Sequence, residues 1–435
     1  MPLLPQYKVI HAPPKVADST VSLGNRDTRR ETTVLLTLGR LPKALAMARS
    51  LAAAGCRVIV AEPFRMPICR LSRAVARTYR VTAPNRDLSR YQDELLDIIR
   101  HEQIDLVLPI SEEAMYVVSM APRLPLGVQV FSPCAATLMA LHDKLAFARK
   151  AASFGLDVPD TYPLDDPAAE RLSRTGPYVV KPTHSCSGIG LQLLERGAPL
   201  PAPTRPGDHV AQRFVSGDHV STFSIAREGE IRATVIYRGK VITRTSAVCF
   251  ERVRQLPCVA EWVERFVRQA DYSGFISFDF IVEGGRAWAI ECNPRLTSGM
   301  HFLEGEYVAG QVLRPFEAPP ATFSAHDLQQ QFYTTLAKTC SSLLHPRRLA
   351  MYLSHLLRAR DVMWSVRDPL PFLLSMPACY EVLGQTWFGG RTFGEAVTDD
   401  IAWFGEGDFD ALRQMEGGER EVVTEVPVLQ QRDAS

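Results

Sequence analysis

Residues 278–295 read FDFIVEGGRAWAIECNPR. Apolar and polar positions alternate on both sides of Gly284-Gly285, which is the pattern of two strands joined by a turn. A plain half-buried hairpin would be content with Thr or Val where this one carries Asp279, Glu291 and Asn293. Residues two apart on a strand share a face, so Ser277, Asp279 and Ile281 point one way, and Glu291 and Asn293 share theirs. Register decides whether those faces coincide. A two-residue turn at Gly284-Gly285 pairs 283 with 286, sets 279 against 290 and sends the carboxylates to opposite faces. An odd loop, such as 284–286, pairs 279 directly with 291. The glycines supply left-handed backbone for such a loop or a bulge. In the odd register the like-charge pair costs up to about 1 kcal/mol, and a divalent cation reverses that sign. Hard oxygen ligands suit Mg²⁺, with Mn²⁺ as the alternative ion. The other reading is a solvated hairpin with incidental acids.

Upstream, YVVKPTHSCSGIGLQLL at 178–194 reads as strand, loop, strand. The small residues from His184 to Gly190 let backbone N–H groups approach phosphate closely, and Lys181 places a charge beside them. No G-x-x-x-x-G-K-[ST] is present, so a structural turn explains the loop equally. Lys144, after Asp143, also reads as an ordinary helix-surface lysine.

Further outward, 33–136 alternates short β-branched runs with helical stretches: TVLLTL (33–38), a helix closed by Gly55, RVIVAE (57–62), a helix from Asp87 to about Glu102, LVLPI (106–110), a helix from Glu112, and VQVFS (128–132). That alternation predicts a parallel sheet with helices on both faces. The first strand-to-helix turn holds one glycine, Gly39, where a dinucleotide fingerprint needs three. It reads as a tight turn with a helix starting near Pro42, although Arg40 and Lys43 at a helix N-terminus suit an anionic group. The strands VAQRFV, STFSIAR, EIRATVIY and KVITRT predict an antiparallel sheet.

Composition narrows the class. With 49 Lys plus Arg against 48 Asp plus Glu, net charge recruits neither nucleic acid nor an anionic membrane. Nine cysteines lack a C-x-x-C pair or zinc spacing, which fits a reducing cytoplasm. The Pro-rich stretch 1–30 has no signal-peptide layout and reads as a loose leader.

The order of these pieces says more than any one of them. Asp143-Lys144, YVVKP with its small-residue loop, VAQRFVSGDHV and FDFI…AIECNPR together resemble the ATP-grasp superfamily, in particular its carboxylate-amine ligases, over roughly 33–310. The resemblance implies an α/β and α+β fold. A parallel-sheet domain (31–136) precedes a two-subdomain ATP-grasp domain (137–330) with a lid at about 172–214, and a mostly helical region with a polar tail (331–435) follows. ATP and Mg²⁺ are the implied cofactors. Asp279, Glu291 and Asn293 match the magnesium ligands, and Lys144 and Lys181 match the phosphate-contacting lysines. Ser187, Gly188 and Gly190 match the glycine loop. Gln212, Arg213 and Val215 match the adenine-reading hinge, where Gln212 replaces a common Glu, and Asp218 or His219 falls near the ribose. Arg295 matches the arginine that steadies an acyl phosphate. The implied reaction activates a small carboxylate with ATP and joins it to an amine. Carboxylation with bicarbonate, or nucleotide binding without turnover, are the alternatives.

Substrate candidates are Ser298, Gly299 and His301, which follow the NPR turn, and Glu112, which opens a helix at the carboxyl end of LVLPI. Each has an ordinary capping explanation too. Arg238, Lys240 and Arg244 on one hairpin are further cationic candidates. In 345–376, Leu349, Tyr352, Leu353, Leu356 and Leu357 repeat at helical spacing beside Arg347, Arg348, Arg358 and Arg360. This predicts an amphipathic helix with a solvated basic face, over the active-site mouth or at a homodimer contact, with no membrane partner.

Overall fold

Every residue of strand β1 (Thr33–Leu36) is buried, as a strand covered on both faces must be. Around it lie β2 (Arg57–Glu62), β3 (Arg77–Arg80), β4 (Leu106–Leu108) and β5 (Gln129–Val130), in the order β3-β2-β1-β4-β5 and all parallel. The computed structural model describes residues 31–185, 190–203, 205–243, 246–314, 320–378, 382, 384 and 393–403. The contacts below lie within the compact unit that begins at Thr32.

Helices α1 (Pro42–Ala53), α2 (Leu88–Glu102) and α3 (Ala114–Val118) join these strands, and α4 (Ala135–His142) and α5 (Lys144–Ser153) lead out of the sheet. α2 starts where Asp87 accepts from Arg90 N at 3.0 Å, and it buries Tyr91, Leu95, Ile98 and Ile99, one stripe at helical spacing. The helix expected from Glu112 begins two residues later, because Glu112 and Glu113 turn inward as side chains. This strand order reverses direction between β1 and β4, so the crevice for a ligand opens outside their carboxyl ends.

Next come β6 (Thr161–Pro163), α6 (Pro167–Thr175), β7 (Tyr178–Pro182), β8 (Gln192–Leu194) and β9 (His209–Arg213). They form a four-stranded antiparallel sheet, β6-β9-β7-β8, with a small core of its own under α6.

The third sheet comprises β10 (Asp218–Arg227), β11 (Glu230–Thr243), β12 (Ser246–Val253), β13 (Gly274–Glu283), β14 (Arg286–Asn293), β15 (Leu328–Gln330) and β16 (Arg360–Asp361). Their order is β14-β13-β10-β11-β12-β15-β16. α7 (Pro257–Gln269) covers one face, burying Val259, Trp262, Val263, Phe266 and Val267; each such side chain is worth about 1.5–3 kcal/mol. α8 (Gly305–Leu313) packs on α1. A continuous core runs from β1, β2 and α1 through Phe223, Tyr237 and Phe250 to α8, so this sheet and the parallel sheet share apolar contacts. β16 pairs parallel with β15, and the chain after residue 330 thus extends this sheet as well as forming α9 (Phe332–Cys340) and α10 (Pro346–Arg358).

The β13–β14 hairpin differs from both registers read in the sequence. Glu283 pairs with Arg286 across a two-residue turn, with φ of 56° at Gly284 and 80° at Gly285, yet Asp279 still faces Glu291. A bulge reconciles the two: the partner of Phe280 is Ala289, the partner of Asp279 is Glu291, and Ile290 is the extra residue. One inserted residue flips every later side chain to the other face.

Candidate active site

That bulge positions a lysine. Freed from the ladder, the Ile290 carbonyl accepts from Lys181 Nζ at 2.8 Å, and Gln212 Oε1 accepts from the same ammonium at 2.9 Å. β7 and β9 pair with Val179 opposite Gln212 and Lys181 opposite Val210, which makes Lys181 and Gln212 diagonal neighbours, and Gln212 in turn donates to Thr161 Oγ1 at 2.8 Å. Burial pushes the Lys181 ammonium down to about 8 from an ordinary 10.5, against the pull of Glu291 and Asp279. With an amide at 212, those two carboxylates are the negative charges that act on it.

Asp279 accepts from Ser221 Oγ at 2.5 Å and from Asn293 Nδ2 at 3.1 Å. Burial, reinforced by Glu291, holds the Asp279 carboxyl above the usual carboxylate range. Asn293 offers its Oδ1 to Arg295 Nη2 at 3.0 Å, leaving that oxygen a second lone pair. Two carboxylates and an amide oxygen around excess negative charge fit a hard divalent cation. Among the described residues no group of three or more His, Cys, Asp or Glu could hold a metal. An ion at this point would therefore complete its shell with water and phosphate, the usual habit of Mg²⁺.

Arg295 links this cluster to the parallel sheet through an ion pair with Glu112, which is 3% exposed. Burial alone would raise the Glu112 carboxyl, but Arg295, His142 and Lys43 together hold it below its ordinary value. Lys43 donates to Ser111 Oγ at 3.1 Å and to the Leu296 carbonyl at 2.8 Å. The crevice at the β1/β4 switch point is thereby tied to the NPR turn.

Lys144, buried at the start of α5, donates to the carbonyl and hydroxyl of Ser185 at 2.9 and 3.2 Å. Its helix starts there because Asp143 caps it, accepting from Leu145 N and Ala146 N at 2.8 Å. The glycine-loop residues Ser187 and Gly188 lie outside the described residues, as does Arg244. Gly190 is described, with φ of 74°, and a Cβ there would approach Pro182 Cγ to 2.9 Å.

Other candidates land elsewhere. The side chain of Arg213 stacks over Trp288, 4.5 Å from its centroid, and its amide donates to the Asp160 carbonyl; Val215 is buried. On β10, His219 shares a face with Ser221 and acts electrostatically on Asp279, while Asp218 belongs to the opposite face. Arg238 and Lys240, cationic candidates in the sequence, turn to Glu251 on β12 at 2.9 and 3.5 Å. Arg40, which suited an anionic group in the sequence, is enclosed by Glu62 and Asp400.

Ser298 and Gly299 lie in a 3₁₀ turn against β10 and β11. A Cβ on Gly299 would stand 2.5 Å from Phe223 Cβ and 2.8 Å from Tyr237 Cε1. Gly299→Ala is thus expected to cost about 1–3 kcal/mol of stability, measured by urea unfolding, and an unchanged midpoint would contradict this packing. His301 stacks on Phe250 and lines a cleft of about 910 Å³ with Arg49, Leu303 and Trp364. Burial and then Lys43 push its imidazole down to about 3, so it is neutral at physiological pH.

Sequence reasoning missed Ser221, Tyr237 and His142. Ser221 was findable, two places from His219 on one strand face. The Tyr237 phenol is pushed up to about 12 by burial and the nearby Asp279 carboxylate. His142 stands 3.8 Å from Glu112 and, with His184, meets the ring of Trp403 from the far end of the chain.

Residues 141–299, which hold the lysines, the acid hairpin and Arg295, match the family model of the ATP-grasp domain. This part of the chain is an ATP-grasp domain. ATP-grasp homologues use ATP and Mg²⁺. Solved structures with a similar fold include L-amino acid ligase from Bacillus licheniformis, at 16% identity and TM-score 0.52 over 67% of this chain and 78% of that one. Another is the biotin carboxylase domain of 2-oxoglutarate carboxylase from Hydrogenobacter thermophilus, in complex with MgADP, ADP and bicarbonate. It aligns at 13% identity and TM-score 0.51 over 66% and 67% of the two chains. Pyruvate carboxylase from Rhizobium etli aligns at 17% identity and TM-score 0.51 over 66% of this chain but only 28% of its own length. These likenesses concern the ATP-grasp fold alone. No curated protein sequence matches the chain.

Proposed function

We propose that the protein is an ATP-dependent ligase that activates a small carboxylate, an amino acid being the leading candidate, as an acyl phosphate and joins it to an amine, releasing ADP and phosphate. The observation that carries this reading is the convergence of Asp279, Glu291 and Asn293 with Lys181 on one side and Arg295 on the other. Phosphoryl transfer asks for charge neutralisation and positioning rather than covalent help from the protein. A pure nucleotide binder has no need of Arg295 beyond the acid cluster.

In this reading Lys144 and Lys181 hold the α- and β-phosphates at the root of the glycine loop. Asp279, Glu291 and Asn293 would hold Mg²⁺, which when bound neutralises charge on the β- and γ-phosphates. Arg295, a planar donor, orients the carboxylate for attack on the γ-phosphate and then steadies the acyl phosphate. Its partnership with buried Glu112 fixes its plane. The amine enters from the switch-point side, where Glu112 and His142 lie.

Turnover is tested by ADP release with pools of amino acids and amines, with mass spectrometry for a new amide. Stimulation by an acid and amine together is the expected result. ADP release that depends on bicarbonate alone would replace this reading with a carboxylase, and tight ATP binding without turnover would replace it with a regulatory binder.

Lys181 makes the reading pH-sensitive. ATP binding favours the protonated ammonium, so affinity in isothermal titration is expected to fall as pH rises through about 8. The sign for apo stability is opposite. The folded state releases this proton before the unfolded chain does, so Lys181 contributes rising stability between about 8 and 10.5. A flat affinity profile across that window would remove Lys181 from the phosphate site.

A further inference from the structure

The α9–α10 hairpin carries a surface that no other element among the described residues covers. From Phe332 to Arg360 there are five basic residues, Lys338, Arg347, Arg348, Arg358 and Arg360, and no Asp or Glu, in a chain with 49 basic and 48 acidic residues overall. The four arginines are exposed, and among the described residues none of the five pairs with a carboxylate. α10 is amphipathic as expected, yet none of its residues is fully buried. Its Tyr352 packs on the small cluster Val241, Val248 and Cys249. The apolar stripe continues past that contact onto the surface. Leu353 and Leu357, one turn apart, are 44% and 77% exposed, and Leu343 and Leu344 in the turn between the helices are 67% and 91% exposed. From that turn to Leu357 the stripe runs about 20 Å at 1.5 Å per residue.

We propose that this hairpin is a peripheral docking surface for an anionic lipid bilayer, with its leucines entering the interface and its arginines at headgroup level. This revises the sequence expectation of a solvated face without a membrane partner. The charge pattern selects the occupant. A second copy docking through the same face would set five positive charges against five. A nucleic acid would satisfy the arginines but leave the leucines nothing to bury against, since single strands are held by stacking aromatics. A bilayer supplies anionic headgroups and hydrocarbon together. No helix of the described residues is long and apolar enough to cross a membrane, so α10 would lie in the interface plane.

The full chain is mixed with vesicles of phosphatidylcholine, with or without phosphatidylserine, and sedimented at low and high salt. Binding to the phosphatidylserine vesicles that weakens with salt is expected. Arg347→Gln with Arg348→Gln should weaken partition by roughly 25-fold, at about fivefold per basic residue. Leu343→Asp with Leu344→Asp should abolish it, with the unfolding midpoint and ADP release unchanged in both variants. These residues lie outside the ATP-grasp domain, so the result stands apart from the ligase reading. Wild-type protein that ignores both vesicles, binds both equally, or binds as its variants do overturns the proposal. Arginine-dependent binding of an oligonucleotide, or a leucine-dependent dimer, without vesicle binding overturns it too.

Discussion

Glu291→Gln is expected to lower ATP-dependent turnover by roughly 100- to 1,000-fold, the range for losing one preorganised charge contact at a reacting phosphate, without lowering stability. The second half makes the result diagnostic. In the absence of nucleotide Glu291 faces Asp279 across the hairpin, and a directly opposed like-charge pair opposes folding by up to about 1 kcal/mol. Neutralising one partner therefore keeps or slightly raises the unfolding midpoint, and it lets the Asp279 carboxyl relax toward its ordinary range. A structural carboxylate would behave in the opposite way, with activity and stability falling together. ADP release and calorimetry on the same preparation separate the two. Turnover within twofold of wild type would remove Glu291 from the metal site.

Arg40→Ala should be the most destabilising single change in the parallel-sheet region. Arg40 lies 3.4 Å over the Phe64 ring and makes ion pairs of 2.5 Å with Glu62 and 2.7 Å with Asp400. Glu62 and Asp400 are 0% and 10% exposed at the side chain. Burial by itself would lower the guanidinium, but the two carboxylates raise it above its ordinary value. Deleting it strands two buried charges, which costs about 3–5 kcal/mol; Asp400→Asn, which keeps a hydrogen-bond acceptor, should cost about half. Urea unfolding measures both. A loss below about 1 kcal/mol for Arg40→Ala would mean that solvent reaches the pair. Because Asp400 and Ala402 anchor Trp403, the carbonyl of Ala402 accepting from the Tyr116 hydroxyl at 2.9 Å, the same variant should also loosen the contact between Trp403 and His184.

Much of the site was legible along the chain because its parts are local. Asp143 caps the helix that starts with Lys144, the YVVKP strand carries Lys181, and Asp279, Glu291, Asn293 and Arg295 lie within one hairpin and its exit turn. Alternation identified the strands, and their order identified the ATP-grasp arrangement. Other readings failed where a side chain had a remote partner. Arg238 and Lys240 were cationic candidates for the site until Glu251 came alongside on β12. Arg40 suited an anionic group at a helix N-terminus until Asp400 closed on it from 360 residues away.

By itself the sequence determined most of the strands and helices and that the first sheet is parallel, because period, capping and turn residues act over a few positions, although it split EIRATVIY and KVITRT where the chain makes one strand, β11. Only the tertiary structure decided that a two-residue turn and a facing acid pair coexist. The extra residue at Ile290 carries no compositional mark, and its freed carbonyl acquires a purpose only when β7 brings Lys181 to it. It likewise decided the Glu112–Arg295 link and the leucines left outside on α10, since burial and pairing depend on which distant surfaces the chain path brings together.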